Sequence, residues 1–234
     1  MKLRSRLQKM ADEIKQGETM ADIGTDHGFL PIYLYQQGIC PRVILADISR
    51  GSLDKAVENC RACIPAADLD FRLGDGISVL NKGEVDDIVI AGMGGALIAD
   101  IMGSDPELSH SFRKFILQPR NNIGLLRQWL YKNGYAITRE QLAAEGRFIC
   151  VVITAEYDPE KTNVEEDFEY PDSLAGFRNE LTVEYLSRER NKYIKIVDNI
   201  EKNSNNTENE SELAKKHIET IDRLLKEMIF YEEE

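Results

Sequence analysis

The feature that most constrains the fold of this chain is a repeated alternation of short apolar runs with helical segments between residues 19 and 133. Apolar runs of strand length that alternate with helical segments predict βαβ units and a parallel sheet. The run at residues 88–91 is apolar throughout, which is typical of a parallel strand covered on both faces. The predicted strands cover residues 19–23, 43–46, 71–73, 88–91 and 115–117.

The pattern changes after residue 134. Residues 135–142 and 148–157 form two further strand-like runs, separated by only five residues. That connection is too short for a crossover helix, so an antiparallel hairpin is predicted. A parallel sheet that ends in an antiparallel hairpin is typical of class I (Rossmann-like) methyltransferases, whereas NAD-dependent dehydrogenases usually remain parallel. We therefore predict an α/β fold with a mixed sheet and an antiparallel final hairpin.

Both ends of the chain are predicted to be helical. Leu3, Leu7, Met10 and Ile14 have helical spacing and predict an amphipathic, basic helix over residues 1–16. Beyond about residue 171, two heptad-like stretches flank residues 203–208 and predict a coiled-coil-like helical hairpin within one chain, with a coiled coil between two chains as the alternative. Their predicted apolar faces consist of Val183, Leu186, Tyr193, Val197 and Ile200 in the first stretch and Ala214, Ile218, Ile221, Leu225 and Met228 in the second. The expected domains are residues 1–160 and residues 161–234. We expect a monomer without an obligate protein partner.

Composition excludes several broad classes of protein. The formal net charge is −12, which argues against a protein that coats nucleic acid over its whole surface. No apolar stretch approaches the roughly 20 residues of a membrane span, and the first residues do not resemble a signal peptide. We therefore expect a cytoplasmic protein that is not bound to a membrane. Cys60 and Cys63 have zinc-like spacing but no second ligand pair, so no metal is expected.

The segment Asp22-Ile23-Gly24-Thr25-Asp26-His27-Gly28 lies between the first predicted strand and the following helix. Gly24 permits a tight turn and close approach of a ligand to the backbone. A helix start offers unpaired N–H groups, which bind pyrophosphate in dinucleotide-binding folds. Two carboxylates in this loop would repel a pyrophosphate, but they suit the sulfonium and amino group of S-adenosylmethionine. The loop therefore predicts S-adenosylmethionine as the cofactor, and an ordinary tight turn is the alternative.

Three further segments at predicted strand ends support this cofactor: Asp47, Gly74-Asp75-Gly76 and Ala91-Gly92-Met93-Gly94-Gly95. Asp47 follows the second strand, 21 residues after Asp26, where a carboxylate can hold a ribose diol. Asp75 follows the third strand, where it can accept a hydrogen bond from the adenine amino group. Ligands of open α/β sheets bind at these carboxyl ends. The predicted cofactor-binding residues are Asp22, Gly24, Asp26, Asp47, Ile48, Asp75, Gly76, Gly92 and Met93.

Five segments, in this order, resemble one family along nearly the whole chain: MADIGTDHGFLP, GDG, IAGMGG, LQPRNN and LRQWLYKNGY. The chain resembles the bacterial TrmK family, the tRNA (adenine-22-N1)-methyltransferases. The resemblance implies a class I methyltransferase domain, a small helical domain and a structured tRNA as substrate. It also implies transfer of a methyl group to N1 of adenine, which gives 1-methyladenosine.

The residues are compatible with this chemistry. Enzymes that methylate exocyclic amines usually carry an Asn/Asp-Pro-Pro-aromatic segment after the fourth strand, where this chain has AGMGG. Adenine N1 has a lone pair at neutral pH, so positioning and electrostatic support for the emerging positive charge are sufficient. We predict that Asp26 stabilises this charge and that His27 lines the base pocket. The predicted tRNA-binding residues are Lys2, Arg4, Arg6, Gln118, Arg120 and Arg127.

Three other functions are compatible with parts of the sequence. A methyltransferase for a small molecule or a protein would share the cofactor loop, but it would not need the basic N-terminal segment. A catalytically idle tRNA-binding module would not need intact Asp22, Gly24, Asp47 and Asp75. A dehydrogenase is disfavoured because the GxGxxG pattern is missing.

Overall fold

The computed structural model describes residues 1–161, 167–203 and 208–229. The chain divides into two compact units, Met1–Val164 and Glu165–Glu234. None of the described helices is both long and apolar enough to cross a membrane.

The first unit alternates strands and helices, and its last two strands follow each other directly. Its helices are α1 (Ser5–Ala11), α2 (Phe29–Gln36), α3 (Arg50–Cys63), α4 (Gly95–Gly103), the one-turn α5 (Pro106–Ser109) and α6 (Ile123–Lys132). Its strands are β1 (Met20–Ile23), β2 (Val43–Asp47), β3 (Asp70–Leu73), β4 (Asp87–Met93), β5 (Lys114–Pro119), β6 (Tyr135–Glu145) and β7 (Phe148–Tyr157). Short 3-10 helices cover Gly76–Val79 and Pro159–Lys161.

All seven strands form one mixed sheet in the order β3-β2-β1-β4-β5-β7-β6. The first five strands are parallel, β7 pairs antiparallel with β5, and β6 pairs antiparallel with β7. The predicted α/β fold, with its mixed sheet and final hairpin, is confirmed. The strand order reverses between β1 and β4, where Asp22 is in register with Val89. Such a reversal leaves a crevice at the carboxyl ends of the strands, which is the usual ligand site of this architecture.

The central strands are buried because helices cover both faces of the sheet. Leu45, Ile90 and Ile116, on three different strands, are fully buried. The sequence of such a strand is a continuous apolar run, and these runs are the pattern that predicted the strands. The sheet is consequently a rigid base for the loops at its carboxyl edge.

Helix α1 is shorter than the sequence predicts, since it covers Ser5–Ala11 rather than residues 1–16. It ends at Ala11 because the backbone continues through tighter hydrogen bonds from Glu13 to Met10 and from Ile14 to Ala11. Helix α3 begins at Arg50. The Ser49 hydroxyl caps it by accepting a hydrogen bond from the Ser52 backbone N–H at 3.4 Å.

The second unit contains the predicted helical hairpin, formed by α7 (Glu180–Asn203) and α8 (Glu208–Ile229), after a 3-10 helix at Asp172–Gly176. Of the predicted turn at residues 203–208, residues 204–207 lie outside the described part. Leu186, Ala214, Ile221 and Leu224 are buried. Val183, predicted on the apolar face, is instead 41% exposed.

Candidate functional site

A pocket of about 150 Å³ opens at the point where the strand order reverses. The loop after β1 and the end of β4 form its floor, and α1 lies along one side. A ligand can therefore reach the backbone at the carboxyl ends of two adjacent parallel strands. Its lining includes Arg6, Met10, Asp22, Gly24, Thr25, Asp26, His27, Phe29, Ala91, Gly92 and Arg120.

The loop after β1 is tightly fitted to its surroundings. Gly24 has a φ of +76°, and a Cβ atom there would lie 2.1 Å from the Met93 Cε atom. Gly28, at the start of α2, has a φ of +67°, and its Cβ would lie 2.8 Å from Leu45 Cδ2. Asp26 also adopts a left-handed φ, at +45°. Both glycines therefore adopt backbone conformations that would strain other residues, and at Gly28 a side chain would also clash with the buried Leu45.

Two buried carboxylates form the base of the site. Asp22 is 7% exposed, and its Oδ2 accepts a hydrogen bond from Thr25 Oγ1 at 2.7 Å. Burial raises the pKa of Asp22 to about 6. Asp47 is 9% exposed and accepts backbone N–H groups from Ser49 at 2.8 Å and from Asp26 at 3.2 Å. These contacts fix the Asp47 carboxylate at the end of β2.

The two predicted catalytic residues are exposed at the pocket rim. Asp26 Oδ1 accepts a hydrogen bond from Lys55 Nζ at 3.1 Å, and Asp26 Oδ2 lies 3.6 Å from His27 Nε2. The His27 ring is stacked on Phe29, with ring centroids 5.2 Å apart and planes within 5°. The Asn59 side chain donates to the His27 backbone carbonyl at 2.9 Å. The rim therefore combines a carboxylate with a flat aromatic surface.

The other predicted cofactor residues follow β2, β3 and β4 along the same edge of the sheet. Ile48 is 70% exposed, and Asp75 is exposed just before the 3-10 helix at Gly76. At Gly92, where φ is +76°, a Cβ would lie 3.3 Å from an Arg120 guanidinium nitrogen. Asp22, Gly24, Asp26 and Gly92 line the pocket itself.

Comparison with known proteins gives the family. A family model described as a methyltransferase domain matches residues 3–153. The tRNA (adenine(22)-N(1))-methyltransferase of Bacillus subtilis is 38% identical over 156 residues, which are 67% of this chain and 66% of that protein. The alignment thus spans slightly less than two thirds of that relative. A putative tRNA methyltransferase of Mycoplasma pneumoniae is 32% identical over 66% of this chain and 71% of its own length.

Solved structures extend the similarity to nearly the whole chain. The crystal structure of B. subtilis TrmK is 29% identical with a TM-score of 0.83, and the match covers 96% of this chain and 99% of that one. The chain belongs to the TrmK family. The predicted resemblance is therefore confirmed. A putative tRNA (m1A22) methyltransferase of Streptococcus pneumoniae, solved with S-adenosyl-L-methionine, gives a TM-score of 0.84 at 26% identity over 96% of this chain and 100% of that one.

The predicted tRNA-binding residues of this TrmK family member have different environments. Lys2 and Arg120 are exposed, and the Arg4 side chain is 82% exposed. Arg6 is half-buried, and its guanidinium donates to Glu145 at 2.5 Å and to Gln118 at 2.9 Å. Gln118 itself is only 3% exposed, so the structure places it as a support for Arg6.

Arg127 corrects the sequence prediction. Its side chain is 1% exposed and donates to both carboxylate oxygens of Glu140, at 3.0 Å and 2.5 Å. A guanidinium enclosed in this way cannot reach a tRNA phosphate. The prediction was wrong because α6 presents Arg127 towards β6, and sequence spacing alone does not show which strand a helix covers.

A second, larger pocket was not predicted from the sequence. It measures about 650 Å³ and lies between the N-terminal segment, the end of β5 and the turn between β6 and β7. Arg147 and Phe148 contribute to it from the hairpin turn. The only sequence signal was an arginine next to an aromatic residue at a predicted turn. Within the described residues, no group of three or more potential metal ligands is present.

Proposed function

We propose that this chain transfers a methyl group from S-adenosylmethionine to N1 of adenine 22 in tRNA, giving 1-methyladenosine. The observation that supports the proposal most directly is the glycine-lined pocket at the strand reversal, which holds the Asp22 and Asp26 carboxylates, in a chain that belongs to the TrmK family. The names of the relatives supply the nucleotide and the position, while the pocket supplies residues suited to the reaction.

The side chains at the carboxyl ends of β1 to β4 have the chemistry that S-adenosylmethionine requires. The buried Asp22 carboxylate suits the amino group of the cofactor, and fixed Asp47 suits the two ribose hydroxyls. The exposed Ile48 side chain offers an apolar surface to an adenine ring, with Asp75 and Gly76 following the neighbouring strand. Gly24, Gly92 and Met93, at the ends of β1 and β4, would border the methionine portion of the cofactor.

The cofactor supplies a methyl group on a positively charged sulfur. As the N1–carbon bond forms, the sulfur–carbon bond breaks with its electron pair remaining on sulfur, and the positive charge appears on the adenine. We propose that Asp26, at the pocket rim, stabilises this charge. His27, stacked on Phe29, would hold the flat base in line with the methyl group. N1 requires no base to remove a proton before it attacks.

The target adenine must leave its stack to enter the pocket. Arg6 and Arg120 line this pocket and the larger one, so both are placed to bind phosphates beside the extruded base. Lys2 and Arg4 extend the positive charge along the N-terminal segment. We propose a cytoplasmic, monomeric enzyme, because tRNA is its substrate and the two long helices pair within one chain.

Methyl transfer from labelled S-adenosylmethionine to an unmodified bacterial tRNA transcript tests the function. We expect label in 1-methyladenosine and no label when adenine 22 is replaced by guanine. Label at another position would refute the proposed site, and normal cofactor binding without any transfer would refute tRNA as the substrate.

Two matched variants test the role of Asp26. Asp26→Asn should lower kcat about tenfold, measured at saturating S-adenosylmethionine. This is less than the 10²–10³-fold loss typical of enclosed catalytic dipoles, because the side chain is 53% exposed. Asp54→Asn removes an exposed carboxylate from α3, outside the pocket, and should leave kcat unchanged. Equal rates for both variants would exclude electrostatic support by Asp26.

A further inference from the structure

The wall of the larger pocket is strongly cationic. Arg4, Arg6, Arg120 and Arg147 all line it, and Glu145 is its one acidic lining residue among the described residues. Glu145 accepts from Arg6 Nε at 2.5 Å and lies 3.9 Å from an Arg4 guanidinium nitrogen. One carboxylate therefore draws two guanidinium groups together, and the pocket retains an excess of positive charge. Such a surface favours an anionic occupant.

The hairpin turn adds an aromatic platform to this wall. Strand β6 ends at Glu145 and β7 begins at Phe148, so Gly146 and Arg147 form a two-residue turn in which Gly146 has a φ of +60°. Phe148 is 61% exposed, and the Arg147 guanidinium carbon lies 4.9 Å from the centroid of its ring. Glu145 is paired with Phe148 across the hairpin, and this pairing fixes the position of Phe148 and of the adjacent Arg147. An exposed aromatic ring beside guanidinium groups is well suited to stack a nucleobase and bind its phosphate.

The two pockets share a wall. Arg6 and Arg120 line both of them, so a chain whose target base enters the smaller pocket can continue into the larger one. We propose that the larger pocket binds an unpaired nucleotide adjoining the target adenine, with its base on Phe148 and its phosphate on Arg147 and Arg4. This inference rests on the proposed function, and it assigns the β6–β7 turn as a substrate-positioning element.

A nucleotide suits this pocket better than a protein segment. A protein ligand would need acidic groups to match the arginines and an apolar side chain to cover one isolated ring. A nucleotide supplies a phosphate and a flat base within a single residue. The volume of about 650 Å³ is within the range of pockets for small ligands.

Two measurements on an unmodified tRNA transcript test the roles of Phe148 and Arg147. Fluorescence anisotropy gives the Kd for tRNA, and methyl transfer gives the KM. Phe148→Ala should raise both constants about tenfold, which corresponds to a loss of about 1.4 kcal/mol from one stacked base. Phe148→Trp should retain tight binding. Arg147→Ala should make the dependence of log Kd on log salt shallower by about 0.7, while Arg147→Lys should preserve it. Arg139→Ala removes an exposed arginine from the same hairpin, outside both pockets, and serves as the control.

Abasic substitutions in the tRNA identify the bound nucleotide. In the wild type, removing one base next to adenine 22 should weaken binding about tenfold, and in Phe148→Ala the same removal should have no further effect. Unchanged tRNA Kd and KM in Phe148→Ala would overturn the inference. A changed oligomeric state with unchanged tRNA binding would also overturn it, because it would assign the platform to a protein contact. Methylation of tRNA by the wild type tests the proposed function separately, so the two failures are distinguishable.

Discussion

The buried ion pair between Arg127 and Glu140 gives the sharpest test of the structure. Arg127 is 1% exposed and Glu140 is 5% exposed, and the two side chains share two hydrogen bonds. Replacing Arg127 with methionine would retain much of the side-chain volume but leave a buried carboxylate without its cation. Breaking a buried pair in this way costs about 3–5 kcal/mol of unfolding free energy.

This cost should produce a large change in thermal stability. For a domain of this size, 1 kcal/mol shifts Tm by about 2–4 °C, so Arg127→Met should lower Tm by roughly 6–20 °C. The double variant Arg127→Met/Glu140→Leu should recover most of the loss, because neither side chain then buries an unpaired charge. Differential scanning calorimetry measures both variants, with the exposed Arg61→Met on α3 as the control.

The same variants separate a structural role from a tRNA-binding role. If Arg127 acts only within the protein, the tRNA Kd of the double variant should equal that of the wild type. A Tm within 2 °C of wild type for Arg127→Met, together with weaker and less salt-dependent tRNA binding, would refute the reasoning.

Two further predictions concern buried carboxylates. Because burial raises the pKa of Asp22 to about 6, affinity for S-adenosylmethionine should fall as the pH decreases through about 6, and Asp22→Asn should bind weakly at every pH. Isothermal titration calorimetry from pH 5 to 8 measures this, and a flat wild-type profile would contradict it. Burial, reinforced by Glu18, raises the pKa of Asp87 to about 7. The folded state therefore retains this proton more strongly, so the free energy of unfolding should decrease between pH 4 and 7 relative to Asp87→Asn. Urea denaturation across this range tests it, and parallel profiles for the two proteins would exclude the effect.

The order of elements and the position of the loop after β1 were predictable because their signals are local. Apolar runs identified the strands, and the short gap at residues 143–147 identified the hairpin. Asp22, Gly24, Asp26 and Gly92 were identified separately, from segments about 70 residues apart, and the structure brings them into one pocket. This was possible because parallel strands all end at the same edge of a sheet.

The exposure of individual side chains could not be predicted from the sequence. Leu224 is buried on α8, whereas the heptad pattern had selected its neighbour Leu225, which is only half-buried. A shift of one residue is decided by the packing of α7 against α8, since helical spacing leaves the centre of a wide apolar face undefined. The second pocket was missed for a related reason, because it joins the N-terminal segment to a turn about 140 residues later.

The sequence by itself therefore determined the types of element, their order, the family and the position of the glycine-containing loop after β1. All of these depend on periodicity or on residues within one turn of each other. Only the tertiary structure decided that Arg127 is enclosed against Glu140 while Arg147 lines a pocket beside Phe148. The two arginines have the same chemistry, and their different roles follow from which distant segments pack over each one.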